Sequence, residues 1–187
     1  GEDRIVFSKE LKLRLEAKRE ETEFSLQSRY FPLLSSFIGG FEGGEMIVVS
    51  AYTGHGKTTF CQSLTRDFCE QGHIPLWFSY EVQPYHFLNK FGNTLPLFTL
   101  PNKIVDKSTF WLEERCYEAL IKYQSRIVFI DHLHFLVDMV HRNASLEIGV
   151  IVRNIKLLAL KHNLVVFLIA HTTKPSGEAK ELELGAT

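Results

Sequence analysis

The chain has 187 residues, of which 45% are hydrophobic and 23% are charged, and its formal net charge is −1. This length and composition are typical of one globular domain with a sizeable core. The near-neutral charge excludes a global basic field, so binding to nucleic acid must come from local patches or an assembled oligomer. No apolar stretch is long enough to span a bilayer and no signal peptide is visible, which argues against a membrane or secreted protein. Three cysteines without C-x-x-C spacing favour a reducing compartment.

Two helices are predicted at the start of the chain. The first covers 8–24, with Ser8 as a plausible N-cap and a thin apolar stripe that includes Leu11 and Leu15. Because such a stripe buries little, this segment is either a solvated surface helix or a linker helix that docks on a neighbouring subunit. The second helix covers 33–38, and two Gly-Gly pairs then turn the chain into the next strand.

The strongest motif is a loop of small residues that ends in Gly-Lys-Thr, at 51–59. It follows an apolar run that predicts a buried strand, 46–49, and precedes a predicted helix, 60–69. This context is that of a phosphate-binding P-loop, in which glycines allow close approach of the backbone and the helix N-terminus attracts negative charge. Lys57 would reach the outer phosphates of a bound NTP, and the Thr58 hydroxyl would coordinate Mg²⁺. The nucleotide-binding candidates are Ala51, Thr53, Gly54, His55, Gly56, Lys57, Thr58 and Thr59.

One position departs from the usual pattern, because Ala51 stands where the first glycine of G-x-x-x-x-G-K-[ST] is expected. A small residue is compatible with that place in the loop. The alternative interpretation is a chance Gly-Lys-Thr in a turn.

A second buried strand is predicted at 73–80 and is followed by Glu81. A carboxylate at this end of a strand lies where ligands bind in open α/β sheets, so Glu81 is a candidate general base toward water. The alternative is a glutamate that ends a strand in solvent. Residues 84–91 predict a helix and 95–100 a short strand.

A third strand is predicted at 126–131 and ends in Asp131, whose carboxylate is a candidate to hold Mg²⁺. The preceding helix, 108–123, has an apolar face that we expect to lie inward. That face consists of Trp111, Leu112, Arg115, Cys116, Ala119, Leu120 and Tyr123.

The last regular elements are a long amphipathic helix, 146–162, and a fourth strand, 165–170. The helix has its apolar stripe at Ile148, Ile151, Val152, Ile155, Leu158 and Ala159. The strand is followed directly by His171. Residues 138–145 and 172–187 lack apolar periodicity and predict loops, the second of them mobile.

The predicted fold is therefore α/β, with a mostly parallel sheet covered by helices on both faces. The loop after the first strand, Glu81, Asp131 and His171 all follow strand ends at one edge of that sheet. This convergence points to one site for a nucleoside triphosphate and Mg²⁺.

The order of these motifs resembles the RecA-like P-loop NTPase motor domain of hexameric replicative helicases of the DnaB class, closest to the phage primase–helicase and mitochondrial Twinkle branch. The resemblance covers 29–175 and places a linker helix at 1–28 and an ATPase core at 29–187. It rests on the glycine-rich segment 39–45, on the loop at 51–59, and on the motifs Ser79-Tyr80-Glu81, Asp131-His132-Leu133-His134 and His171-Thr172-Thr173-Lys174-Pro175.

The resemblance implies roles for particular residues. Glu81 would be the catalytic base, and His171 would sense the γ-phosphate. His134 stands where the family has a coupling glutamine, so it is either a coupling residue or a structural core histidine. Arg142 and Lys174 would lie in loops near a central channel, as candidate DNA contacts or as plain surface charge.

For the whole protein, the resemblance implies hydrolysis of ATP or another NTP with Mg²⁺ and translocation on single-stranded DNA. The expected assembly is a homo-hexamer or heptamer ring, with primase and other replisome proteins as candidate partners and no membrane. The expected location is the cytoplasm and nucleoid or the mitochondrial matrix. The arginine finger of the family lies downstream of Lys174, beyond this sequence, which suggests a fragment.

Two other functions fit the same motifs. A clock-type or recombination-mediator ATPase shares the fold, although those proteins tend to have a Glu-Glu pair where this chain has Glu81-Val82. A regulatory or assembly module that binds nucleotide without unwinding DNA is also compatible with the near-neutral charge.

Overall fold

The computed structural model describes residues 3–50, 56–80, 82–132, 144–170 and 180–183. The described helices are α1 (Ser8–Thr22), α2 (Pro32–Ile38), α3 (Lys57–Glu70), α4 (Pro84–Asn89), α5 (Thr109–Tyr123) and α6 (Ala144–His162). The described strands are β1 (Ser25–Leu26), β2 (Phe41–Glu42), β3 (Met46–Ser50), β4 (Leu76–Ser79), β5 (Ile127–Asp131), β6 (Val165–Ala170) and β7 (Lys180–Glu183).

Within the part of the chain that the structure describes, the central sheet has five strands in the order β4-β5-β6-β3-β7, and each neighbouring pair is parallel. β1 and β2 form a separate antiparallel pair. Every residue of β5 and β6 is buried. A continuous apolar run of this kind forms when helices cover both faces of a parallel sheet. The α/β fold with a mostly parallel, doubly covered sheet is thus confirmed.

The two faces of the sheet have different cores. On one face, α5 and α6 contribute apolar side chains that pack with Val128 and Ile130 of β5. On the other face, α3 packs with Phe129 of β5 and Phe167 of β6. The Phe129 ring stacks on Trp77 with centroids 4.9 Å apart and on Phe167 with centroids 4.8 Å apart. This aromatic stack ties β4, β5 and β6 together beneath α3.

The predicted stripes on α5 and α6 mostly face the core. The predicted α6 residues are all buried or partly buried against the first core. Tyr123 is the exception on α5, since its side chain is 52% exposed on the last turn of the helix. Ser108 is the N-cap of α5, and its hydroxyl accepts a hydrogen bond from the backbone N–H of Trp111.

Three sequence predictions need correction. Ser8 is the first residue of α1 rather than its N-cap, a position that Phe7 occupies without a side-chain hydrogen bond. The short strand predicted at 95–100 is reduced to one bridge between Thr99 and Leu76. Pro96 and Pro101 explain this, because proline cannot donate to a strand ladder.

The third correction concerns the end of the chain, where a mobile loop was predicted. Within it, β7 pairs in parallel with β3 and forms one edge of the sheet. Its sequence, Lys-Glu-Leu-Glu, has a weak preference for strand. Charged residues are tolerated on an edge strand, so pairing with β3 decides the structure there.

A buried carboxylate fixes the segment that joins α1 to the core. Asp67 of α3 is fully buried, and its Oδ2 accepts hydrogen bonds from Ser28 Oγ at 2.7 Å, Arg29 N at 2.9 Å and Tyr30 N at 3.1 Å. Its Oδ1 accepts one from Gln71 Nε2 at 2.9 Å.

None of the described helices has the length and apolar character needed to cross a membrane.

Candidate nucleotide-binding site

The first part of the site is the N-terminus of α3 at the carboxyl edge of the sheet. Gly56 precedes the helix with φ +102°, a backbone conformation that favours glycine. The first amides of α3, from Lys57, Thr58 and Thr59, belong to a helix end that attracts anions. Four other nucleotide-binding candidates, Ala51, Thr53, Gly54 and His55, lie outside the described residues.

The second part is a pair of oxygen ligands from two distant segments. Thr58 Oγ1 donates a hydrogen bond to Asp131 Oδ2 at 2.7 Å. Asp131 is only 1% exposed at the end of β5. The two residues predicted to hold Mg²⁺ are therefore brought into direct contact by α3 and β5.

The donor chemistry of this pair fits Mg²⁺. A hydroxyl and a carboxylate are hard oxygen ligands, and Mg²⁺ usually keeps several waters and binds through few protein groups plus phosphates. The described residues contain no group of three or more His, Cys, Asp or Glu side chains arranged for a metal. The hydroxyl and the carboxylate therefore fit a Mg²⁺ that is shared with a polyphosphate.

Lys57 links α3 to the end of β6. Its side chain is 1% exposed, and Nζ donates a hydrogen bond to the Ala170 carbonyl oxygen at 3.2 Å. A buried ammonium group requires such acceptors. Ala170 is the last residue of β6, so Lys57 lies beside the strand end that directly precedes His171 in the sequence.

The end of β4 is joined to the end of β5 by the backbone. Tyr80 N donates to the Asp131 carbonyl oxygen at 2.7 Å, and Ser79 Oγ donates to the Val82 carbonyl oxygen at 3.2 Å. The chain directly before Glu81 thus lies next to the Thr58–Asp131 pair. Glu81 itself lies outside the described residues, as do His134, Arg142, His171 and Lys174.

Two titratable side chains near this edge are unsuited to catalysis. Burial raises the pKa of the Cys61 thiol well above its usual value, and the negative charge of Asp131 raises it further. Burial also raises the pKa of the Tyr80 hydroxyl. Both groups therefore stay neutral at ordinary pH. They contribute packing rather than charge to the edge of the sheet.

Sequence reasoning did not single out Gln62. It lies one turn after Thr58 on α3, is 5% exposed, and donates from Nε2 to the Phe87 carbonyl oxygen at 3.1 Å. The available signal was a lone amide among apolar helix positions. The Ala170 carbonyl could not be predicted, because no side-chain pattern marks a backbone acceptor.

The strand order and the position of the candidate site together define the class of fold. Asp131 lies two strands away from β3, with β6 between them, and α3 starts just beyond the carboxyl end of β3. This arrangement is the RecA-like form of the P-loop NTPase fold, and the same fold is found in proteins of known structure.

Two proteins of known structure illustrate which kinds of protein have this RecA-like fold. One is a DnaB-like replicative helicase whose structure was described with its interactions with primase. It matches 91% of this chain and 49% of the helicase chain with 15% identity and a TM-score of 0.68. The other is a KaiC-like protein from Pyrococcus horikoshii OT3, matched over 72% of this chain and 64% of that chain with 14% identity and a TM-score of 0.56.

These comparisons confirm the RecA-like fold predicted from the DnaB-class motifs. The chain spans about half the length of the helicase it matches. No family model matches the sequence. The phage and Twinkle branch, the boundary between a linker at 1–28 and a core at 29–187, and the roles of individual residues stay predictions.

Proposed function

We propose that this chain is the ATP-hydrolysing motor domain of a ring-forming replicative DNA helicase that translocates on single-stranded DNA. The observation that carries the proposal is the contact between Thr58 Oγ1 and Asp131 Oδ2, 2.7 Å long, at the N-terminus of α3. A hydroxyl and a carboxylate placed together beside a buried lysine suit a nucleoside triphosphate with Mg²⁺. The likeness in fold to a DnaB-like helicase supports the proposal that the motor translocates on DNA.

In this proposal, Lys57 and the amides of 51–59 bind the β- and γ-phosphates. Thr58 and Asp131 hold Mg²⁺, which when bound would neutralise charge on the phosphate oxygens. Glu81 orients the attacking water and accepts its proton, a role that favours a carboxylate beside the phosphate-binding edge. His171 contacts the γ-phosphate, and the segment that follows His171 responds to the presence of that phosphate.

The same proposal assigns DNA and coupling roles to the segments that follow β5 and β6 in the sequence. His134 and His171 would couple hydrolysis to translocation on DNA. Arg142 and Lys174 would contact the phosphate backbone of single-stranded DNA by charge. Primase and other replisome proteins are candidate partners, in the cytoplasm and nucleoid or the mitochondrial matrix.

The exposed faces of α1 support assembly with a second copy. Leu11 and Leu15 are 46% and 56% exposed, and no side chain described on α1 is buried. A helix of 15 residues is marginal in water without tertiary packing. The ion pairs along α1, such as Arg14 with Glu10, are exposed and add little. We therefore place α1 on a neighbouring subunit in a hexamer or heptamer ring.

Substituting the leucines of α1 tests this assembly. Leu11→Asp with Leu15→Asp is expected to shift the protein from rings to smaller species, because both side chains lie on one helix face. Light scattering after gel filtration, on the longest natural form of the protein, measures the change. Leu13→Asp is the matched control, since Leu13 lies about 200° around the helix from both. Rings that persist in the double variant would contradict the docking of α1.

Hydrolysis of ATP stimulated by single-stranded DNA tests the motor. We expect stimulation in the wild-type protein and a fall of about 100-fold or more in Glu81→Gln, because a general base is lost. Binding of a fluorescent ADP should be retained in the variant. Unimpaired hydrolysis in Glu81→Gln would reject Glu81 as the base.

The likeness to a KaiC-like protein supports one alternative. In that alternative, the chain binds and slowly hydrolyses nucleotide as a regulatory or assembly module and does not move on DNA. Nucleotide binding with slow turnover that single-stranded DNA leaves unchanged would favour it over the helicase.

A further inference from the structure

The chain on both sides of Glu81 is held by hydrogen bonds from other parts of the edge. Before it, Tyr80 N donates to the carbonyl oxygen of Asp131. Across it, Ser79 Oγ donates to the carbonyl oxygen of Val82 at 3.2 Å. After it, α4 is bound by Gln62, whose Nε2 donates to the Phe87 carbonyl oxygen at 3.1 Å.

Gln62 joins the two halves of the proposed site. Its helix, α3, begins with Lys57 and Thr58, and Gln62 lies one turn later. The acceptor, Phe87, is fully buried in α4, a helix of six residues that begins at Pro84, three residues after Glu81. The hydrogen bond therefore fixes the helix that carries the phosphate ligands to the helix that follows Glu81.

Packing alone does not require an amide at this position. The Phe87 ring already contacts Trp77, with centroids 4.7 Å apart, within the aromatic core. A buried amide costs desolvation free energy that a Leu or Met side chain would avoid. The hydrogen bond restricts the geometry further than packing does, because it favours one distance and one angle between α3 and α4.

We propose that Gln62, together with Ser79, is a positioning residue. The two side chains fix the described residues on either side of Glu81 relative to the Thr58–Asp131 pair, and their effect on the rate is exerted through Glu81. The proposal rests on the proposed function, since it assumes that Glu81 activates water. Positioning of this kind has large kinetic effects, because an error of about 1 Å in a reacting group can lower a rate by about 100-fold.

Gln62→Met tests the proposal, because it keeps the size and flexibility of the side chain and removes the donor. We expect kcat for ATP hydrolysis to fall about tenfold while KM for ATP and binding of ADP stay unchanged. Gln71→Met is the matched control. Gln71 follows the same helix, and its Nε2 donates to the Gln27 carbonyl oxygen at 2.8 Å and to Asp67 Oδ1 at 2.9 Å, but it does not hold the chain near Glu81. Gln62→Met loses one described side-chain hydrogen bond and Gln71→Met loses two, but only Gln62→Met should lower kcat.

A double-mutant cycle shows whether Gln62 acts through Glu81. In a Glu81→Gln background, Gln62→Met should lower kcat no further, because the group that it positions is already gone. An equal loss in both backgrounds would overturn the proposal, as would a wild-type kcat in Gln62→Met. A Glu81→Gln variant with normal hydrolysis would instead reject the base assignment in the proposed function, and the positioning role with it.

Ser79 provides a second route if Gln62→Met does not fold, as judged by thermal unfolding. Ser79→Ala should lower kcat at constant KM, and Ser79→Thr should restore it, because threonine keeps the hydroxyl. Failure of Ser79→Thr to restore kcat would count against the hydrogen bond to Val82 as the cause.

Discussion

Asp131→Asn is expected to lower Mg²⁺-dependent ATP hydrolysis by about a thousandfold, because a metal ion supplies several kcal/mol of transition-state stabilisation. The side chain is 1% exposed and contacts Thr58 Oγ1 at 2.7 Å. Asparagine keeps the shape and an oxygen acceptor for the Thr58 hydroxyl but loses the negative charge. The fold should therefore be retained while the affinity for Mg²⁺ in the presence of ATP falls.

The measurement is the rate of ATP hydrolysis across a titration of Mg²⁺, with thermal unfolding as a check on the fold. Thr58→Ala should weaken the response to Mg²⁺, and Thr58→Ser should preserve it, because serine keeps the oxygen ligand. If Asp131→Asn retained a near-wild-type rate at saturating Mg²⁺, Asp131 would not be a metal ligand, and the carboxylate would be structural.

The carboxyl edge was predictable because each of its parts is local in sequence. A buried strand followed by small residues and Gly-Lys-Thr specifies a loop and a helix start without knowledge of the rest of the chain. Asp131 follows an apolar run in the same way. Parallel strands have their carboxyl ends at one edge, so the contact between Thr58 and Asp131 follows from topology.

The parts that sequence reasoning missed depend on contacts between distant segments. β7 is a strand because β3 offers it a free edge, and its own residues do not favour that state. Gln62 and Asp67 are polar residues on a helix and would ordinarily be expected at the surface. Gln62 and Asp67 are buried because α4 and the segment at 28–31 pack against them, and these contacts join segments that are distant in sequence.

Lys57 connects the N-terminus of α3 to the end of β6. Its Nζ is 3.2 Å from the Ala170 carbonyl oxygen, at the end of β6. The strand that separates β3 from β5 is thus in contact with the residue proposed to bind the γ-phosphate.

The second large effect concerns stability, and Asp67 is its source. Its carboxylate accepts hydrogen bonds from Ser28 Oγ, Arg29 N, Tyr30 N and Gln71 Nε2, between 2.7 and 3.1 Å. Hydrogen bonds to a charged group contribute about 1.5–3 kcal/mol each, and donors left without an acceptor in a buried place cost more. The three donors at 28–30 belong to the segment that leads from α1 into the core.

Asp67→Ala is therefore expected to lower the free energy of unfolding by about 4 kcal/mol, a large part of the total stability of a typical domain. For a chain of this size the corresponding fall in Tm is about 10 °C. Calorimetry or urea unfolding followed by circular dichroism measures the change. Asp106→Ala is the control, because Asp106 is exposed and its side chain accepts from the nearby backbone N–H of Ser108 at 2.9 Å rather than from a distant segment. A Tm for Asp67→Ala close to that of the control would show that the segment at 28–31 is held by its apolar contacts and not by Asp67.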